Sequence, residues 1–69
     1  MTYNEERIKA YRIINRQIDV LERKMSLHFN LYIMELQDEM KIEQLKYLIS
    51  TAEELKKVYK ERIKLDESR

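Results

Sequence analysis

The chain has 69 residues, a formal net charge of +1, 39% charged and 43% hydrophobic residues, and no Gly, Pro or Cys. That length bounds it at one domain and leaves a lone monomer marginal, because so short a chain buries only about 60% of its unfolded surface. Disulfides and thiolate metal sites are excluded, one His does not make a usual zinc site, and a charge near zero gives no global field for nucleic acid. Self-association is the remaining route to stability, so a homo-oligomer, first of all a dimer, is expected.

The same composition predicts helix. The strongest turn formers are missing, and Glu, Lys, Arg, Leu, Ile and Gln dominate, as in long helices and coiled coils. The start of the chain is polar and acidic, unlike a signal peptide. The longest uncharged apolar run is Leu31 to Met34, far short of the roughly 18 residues of a membrane span. A cytoplasmic protein with no membrane contact is expected.

In chain order, Thr2-Tyr-Asn-Glu5 fits a capping box, which starts a first helix near Tyr3 or Asn4. A heptad follows: Tyr11, Ile14, Ile18, Leu21, Met25, His28 and Tyr32, spaced 3-4-3-4-3-4 on one face, with Leu36 extending it. A second heptad runs through Leu45, Leu48, Ala52, Leu55 and Tyr59. The two are out of phase. The 13 residues from Tyr32 to Leu45 turn a straight helix about 1300°, roughly 140° short of four full turns. A chain reversal removes that conflict, and Gln37-Asp38-Glu39 is the most polar stretch available for it. The expectation is a helix over about 3–36, a turn over about 37–41 and a helix over about 42–66.

Two features keep other arrangements open. A further apolar row, Ile13, Val20, Leu27 and Met34 at intervals of seven and later Ile42, Ile49 and Ile63, suits a seam on one unbroken helix or an outer face by which hairpins meet. Ser50-Thr-Ala-Glu53 and Thr51-Ala-Glu-Glu54 both read as capping boxes for a third helix, and Ser26 or Asn30 could mark a break. The segment Met25 to Leu36, with Leu27, Phe29, Leu31, Ile33 and Met34, is apolar on almost every side, so it asks for cover on every side.

Candidate chemistry is sparse. His28 lies on the first stripe with no Ser, Cys or Asp spaced to activate it, so a packed, register-fixing histidine is the simpler reading. Glu35, Glu39 and Glu43 form an acidic row without the Glu-x-x-His pair of di-metal bundles. Of Tyr3, Tyr11, Tyr32, Tyr47 and Tyr59, three fall on the heptads, which favours packing over base stacking. Met25, Met34 and Met40 are adaptable fillers near the middle. Nothing places a nucleophile, a base and an oxyanion site together, so no enzyme, cofactor or metal is expected.

Charge is uneven along the chain. Residues 1–24 hold six bases against four acids, 25–54 two against six, and 55–69 six against three. In a hairpin the basic ends meet, and Arg12, Arg16, Lys56, Lys60, Arg62 and Lys64, with Lys57 adjacent, become a candidate patch for an anionic partner. The sequence is therefore read as an all-α, antiparallel helical hairpin with coiled-coil-like packing that dimerises into a four-helix bundle. Its expected interface residues are Ile14, Ile18, Leu21, Met25, His28, Phe29, Tyr32, Leu36, Leu45, Leu48, Ala52, Leu55 and Tyr59. The expected role is a small interaction protein with itself and another protein as partners; a nucleic-acid regulator using the basic pole, or a structural coiled coil, are the alternatives. In size and pattern such a hairpin is similar to the small Rop-like proteins of plasmids and viruses, a likeness that covers no motif and carries no residue role.

Overall fold

The computed structural model describes the backbone of residues 3–67 and the side chains of residues 4–67. Thr2, and with it the expected capping box, lies outside them. Two helices account for almost all of this: α1 is Tyr3–Met34 and α2 is Asp38–Glu67. They pack antiparallel into a rod of 54 × 15 × 12 Å. Neither arm breaks at Ser26, Asn30, Ser50 or Thr51, so the chain is a hairpin rather than one long helix or three short ones.

The reversal falls at Glu35–Gln37, earlier than the expected 37–41. Backbone bonds close it on both sides, Glu35 N–H to the Leu31 carbonyl and Lys41 N–H to the Gln37 carbonyl, each 3.0 Å. Asp38 and Glu39 then occupy the first turn of α2, where carboxylates favour the positive end of the helix dipole. No described residue has a positive φ, so the reversal needs no glycine. Leu36 stands 94% exposed at the tip and does not extend the seam of α1.

Along α1 the inward residues follow the heptad. Tyr11, Leu21, Met25, His28 and Tyr32 are half-buried, and Ile14 and Ile18 are buried. Along α2 the seam differs from the most apolar stripe. The inward set is Lys41, Gln44, Leu48, Thr51, Leu55, Val58, Arg62 and Leu65, again at alternating intervals of three and four. Leu48 and Leu55 belong to both patterns. Leu45 and Ala52 are exposed, and Thr51 is the most deeply buried described residue at 2%. With one row kept and the other moved by a residue, α2 is rotated by roughly 50°, half the 100° step of an α-helix. Cross-helix hydrogen bonds account for the rotation, because Lys41, Gln44 and Arg62 each bond to α1 from this seam.

The result is a narrow core. Among described residues only Ile14, Ile18 and Leu55 are buried apolar side chains, whereas large hydrophobics from Ile8 to Ile63 stand exposed along both helices. The rotated seam has a direct mutational signature. Leu55→Ala should cost about 2–5 kcal/mol in urea unfolding, as large-to-small core changes do. Leu36→Ala should change stability by less than about 0.5 kcal/mol, as surface substitutions do. Thr51→Asp should unfold the hairpin by burying a carboxylate, while Ala52→Asp should retain the helical circular dichroism of the parent.

Candidate interaction surface

Each helix ends in carbonyls that no later turn satisfies, and no glycine is present to make a Schellman cap. A cation from the opposite helix supplies the donor instead. Lys41 Nζ donates to the Tyr32 carbonyl at 2.8 Å and sits 4.6 Å from the Tyr32 ring centroid. At the other pole Arg7 Nη2 donates to the Leu65 carbonyl at 2.9 Å, with its guanidinium 5.8 Å from the Tyr11 ring centroid. Both cations stand early in one helix and against the C-terminal end of the other, where positive charge is favoured.

Between these caps run polar rungs. The Tyr11 hydroxyl donates to the Asp66 carboxylate. Arg62 Nη1 donates to Asn15 Oδ1 at 3.1 Å and lies over the Tyr59 ring at 5.0 Å. The Tyr59 hydroxyl donates to Glu22 Oε1 at 3.1 Å. His28 Nδ1 lies 2.8 Å from Gln44 Oε1, the ring N–H donating, and its ring stacks on Tyr47 at 4.9 Å. His28 thus fixes the register of the two helices. Among described residues no buried side-chain polar atom lacks a partner.

Outside these rungs, rows of apolar side chains stand exposed among the charged ones. Ile13, Val20, Leu27 and Met34 on α1, and Ile42, Ile49 and Ile63 on α2, are all 54–74% exposed. On α1 the row borders a shallow groove in which Gln17 and Val20 meet Glu54 and Val58. On α2 it belongs to the opposite broad face, where Met25 lines one groove with Ala52 and Lys56 and another with Ser26, Phe29 and Leu48. Antiparallel helices require such an arrangement: residues that follow the seam in rotational order lie on one face of the pair, and those that precede it lie on the other. Each broad face therefore carries one apolar stripe, α1 on one and α2 on the other.

The expected interface residues divide accordingly. Ile14, Ile18, Leu21, Met25, His28, Tyr32, Leu48, Leu55 and Tyr59 are buried or half-buried between the helices, and Phe29, Leu36, Leu45 and Ala52 are exposed. The basic residues are not gathered into one patch. Arg16 and Lys57 share their groove with Glu54 and Glu61, Lys56 and Lys60 line the opposite face, and Arg62 is engaged with Asn15 and Tyr59. Arg12 lines a further groove with Arg16, and Lys64 is exposed. Glu43 faces Lys46 at 3.8 Å, and no group of three metal-binding side chains is assembled among the described residues. Among the described residues no helix is long and apolar enough to cross a membrane. Comparison with protein-family models, curated proteins and solved structures gives no match.

The Glu22 contact makes one titration diagnostic. Its carboxylate accepts the Tyr59 proton and raises the phenol's pKa above the ordinary value of 10.0; desolvation and the Glu22 charge add to the rise, and Arg62 opposes it. Because the folded pKa is raised, the stabilisation is complete below about pH 10 and is lost as pH climbs through the folded value. The parent chain's urea midpoint should fall as pH rises above about 10, and Tyr59→Phe should start lower and fall less.

Proposed function

We propose that the protein is a non-enzymatic helical interaction module whose working form is a homo-oligomer, with a dimeric four-helix bundle as its simplest state. The observation that carries this reading is the pair of exposed rows, Ile13, Val20, Leu27 and Met34 on α1 and Ile42, Ile49 and Ile63 on α2. Apolar residues left exposed at regular helical spacing in a folded chain mark a surface for another helix. Heptad spacing on a straight helix specifies its complement, another helix carrying an apolar stripe of the same period.

Two stripes on opposite faces give the module two sides. One serves self-association, and the other is available to a helix of another protein, which makes adaptor, regulator or inhibitor the apt class of role. A rod 12–15 Å across in its short dimensions leaves no room for an enclosed substrate cavity, so packing is what this architecture can do. The mixed charges along the grooves, Arg16 and Lys57 beside Glu54 and Glu61, suit a polar rim around an apolar contact.

Light scattering at tens of micromolar should return at least twice the 8.6 kDa chain mass. Ile49→Arg, which places a charge on the α2 stripe, should lower that mass toward the monomer while helicity persists at higher chain concentration. A fully helical monomer across this range for the parent chain would contradict the reading.

A further inference from the structure

The α2 stripe carries more information than its hydrophobicity. In full it runs Ile42, Leu45, Ile49, Ala52, Lys56, Tyr59 and Ile63, at intervals of three and four. Ile42, Leu45, Ile49 and Ala52 are exposed, roughly 100° around the helix from the seam that holds α1. Two contact directions near a right angle are what a helix at the corner of a four-helix bundle needs. On the same face α1 offers exposed Phe29 beside Leu48 and Met25.

Along the outer edge of this stripe lies a row of charges seven residues apart: Glu39, Lys46, Glu53 and Lys60, all exposed. The signs alternate. Such a row is complementary to itself only when two copies run antiparallel, because antiparallel helices set edge positions of one kind against each other, whereas parallel helices set them against the opposite edge. The opposite edge of α2 is Lys41, Leu48, Leu55 and Arg62, which already faces α1.

We infer that α2 pairs antiparallel with α2 of a second copy, in the two-fold register that sets Leu45 against Ile49 and Ile42 against Ala52. This deepens the reading proposed above and rests on it. In that register each Lys46 faces the second copy's Glu53, each Glu39 faces its Lys60, and at the ends of the apolar run each Asp38 meets its Lys56. By symmetry every such pair occurs twice. Sliding by one heptad in one direction sets Lys46 against Lys46 and Glu39 against Glu53. Sliding in the other sets Glu53 against Glu53 and Lys46 against Lys60. Like charges directly opposed are destabilising. A slide of two heptads restores opposite signs at the edge but sets Ile42 against Asp66 or Asp38. One register alone satisfies both the apolar row and the charged edge.

The pairing is centred between residues 45 and 49, so it overlaps the halves of the two hairpins nearest their turns. That is where exposed Phe29, on the same face within the apolar segment Met25 to Leu36, requires cover. Tyr59 and Ile63 fall outside the overlap, which leaves the Tyr59–Glu22 hydrogen bond in place. Within its own chain Lys46 leans on Glu43 at 3.8 Å, an exposed pair that contributes little and is readily exchanged.

The test is a charge exchange followed by sedimentation equilibrium at about 0.1 M salt. K46E chains carry acid at both edge positions, and E53K chains carry base at both. Each variant alone should self-associate about tenfold more weakly than the parent, since two attractive pairs become repulsive. An equimolar mixture of the two should form a heterodimer in which every edge pair is again opposite in sign, and the doubly exchanged chain should self-associate within about threefold of the parent. Both sites are exposed, so helicity should stay at the parental level. Single variants that associate as well as the parent, or a mixture that does not recover, would overturn the register while leaving the oligomer intact. A parent chain that stays monomeric would instead overturn the functional reading on which the register rests.

Discussion

Two helices in a single layer can each cover only one arc of the other, and in this chain the apolar arc of each helix is wider than one neighbour can cover. That mismatch governs the rest of the structure. The seam between α1 and α2 buries Ile14, Ile18, Leu55 and Thr51, a small core against the conformational entropy of ordering some sixty residues. The apolar side chains that the seam leaves out lie in regular rows, which is why they read as a surface for other helices. A scattered set of exposed hydrophobics would be unremarkable in any protein.

The polar rungs explain how a seam so thin still fixes a register. Lys41 on the Tyr32 carbonyl and Arg7 on the Leu65 carbonyl tie the two ends, and His28 with Gln44 and Arg62 with Asn15 lock the interval between them. Hydrogen bonds of this kind add modestly to stability because water competes for the same groups. Their larger effect is directional. A pair of uniformly apolar seams could slide by a heptad at small cost, whereas these partners meet in one alignment only.

Much of the fold was legible in the amino-acid order. The heptad Tyr11 to Tyr32 names the inward face of α1 residue by residue, and its phase conflict with the later apolar stripe correctly demands a reversal. The second seam was not legible from hydrophobicity, because α2 turns its most apolar stripe outward and packs through Gln44, Thr51 and Arg62 instead. A signal for this exists in the polar members of α1. His28 and Asn15 need partners across the seam, and only a rotation of α2 by half a step brings Gln44 and Arg62 to them. The turn was placed late for a related reason: polarity points to Gln37–Glu39, but Asp38 and Glu39 are favoured inside the first turn of a helix rather than before it. Charges counted along the sequence say nothing of their spread around a rod, and here Arg16 and Lys57 line one broad face while Lys56 and Lys60 line the other.

The central claim is that the outer stripes are covered in the working form of the protein, and the most direct measurement is thermal unfolding as a function of chain concentration. When folding is coupled to association, mass action makes the Tm climb with concentration. Over a hundredfold range, from a few micromolar to a few hundred, the account predicts a Tm that rises continuously by several degrees, with the steepest rise where light scattering shows the oligomer assembling. A Tm that stays constant across that range, with helicity undiminished at the lowest concentration, would show that the hairpin is complete by itself and would contradict the account.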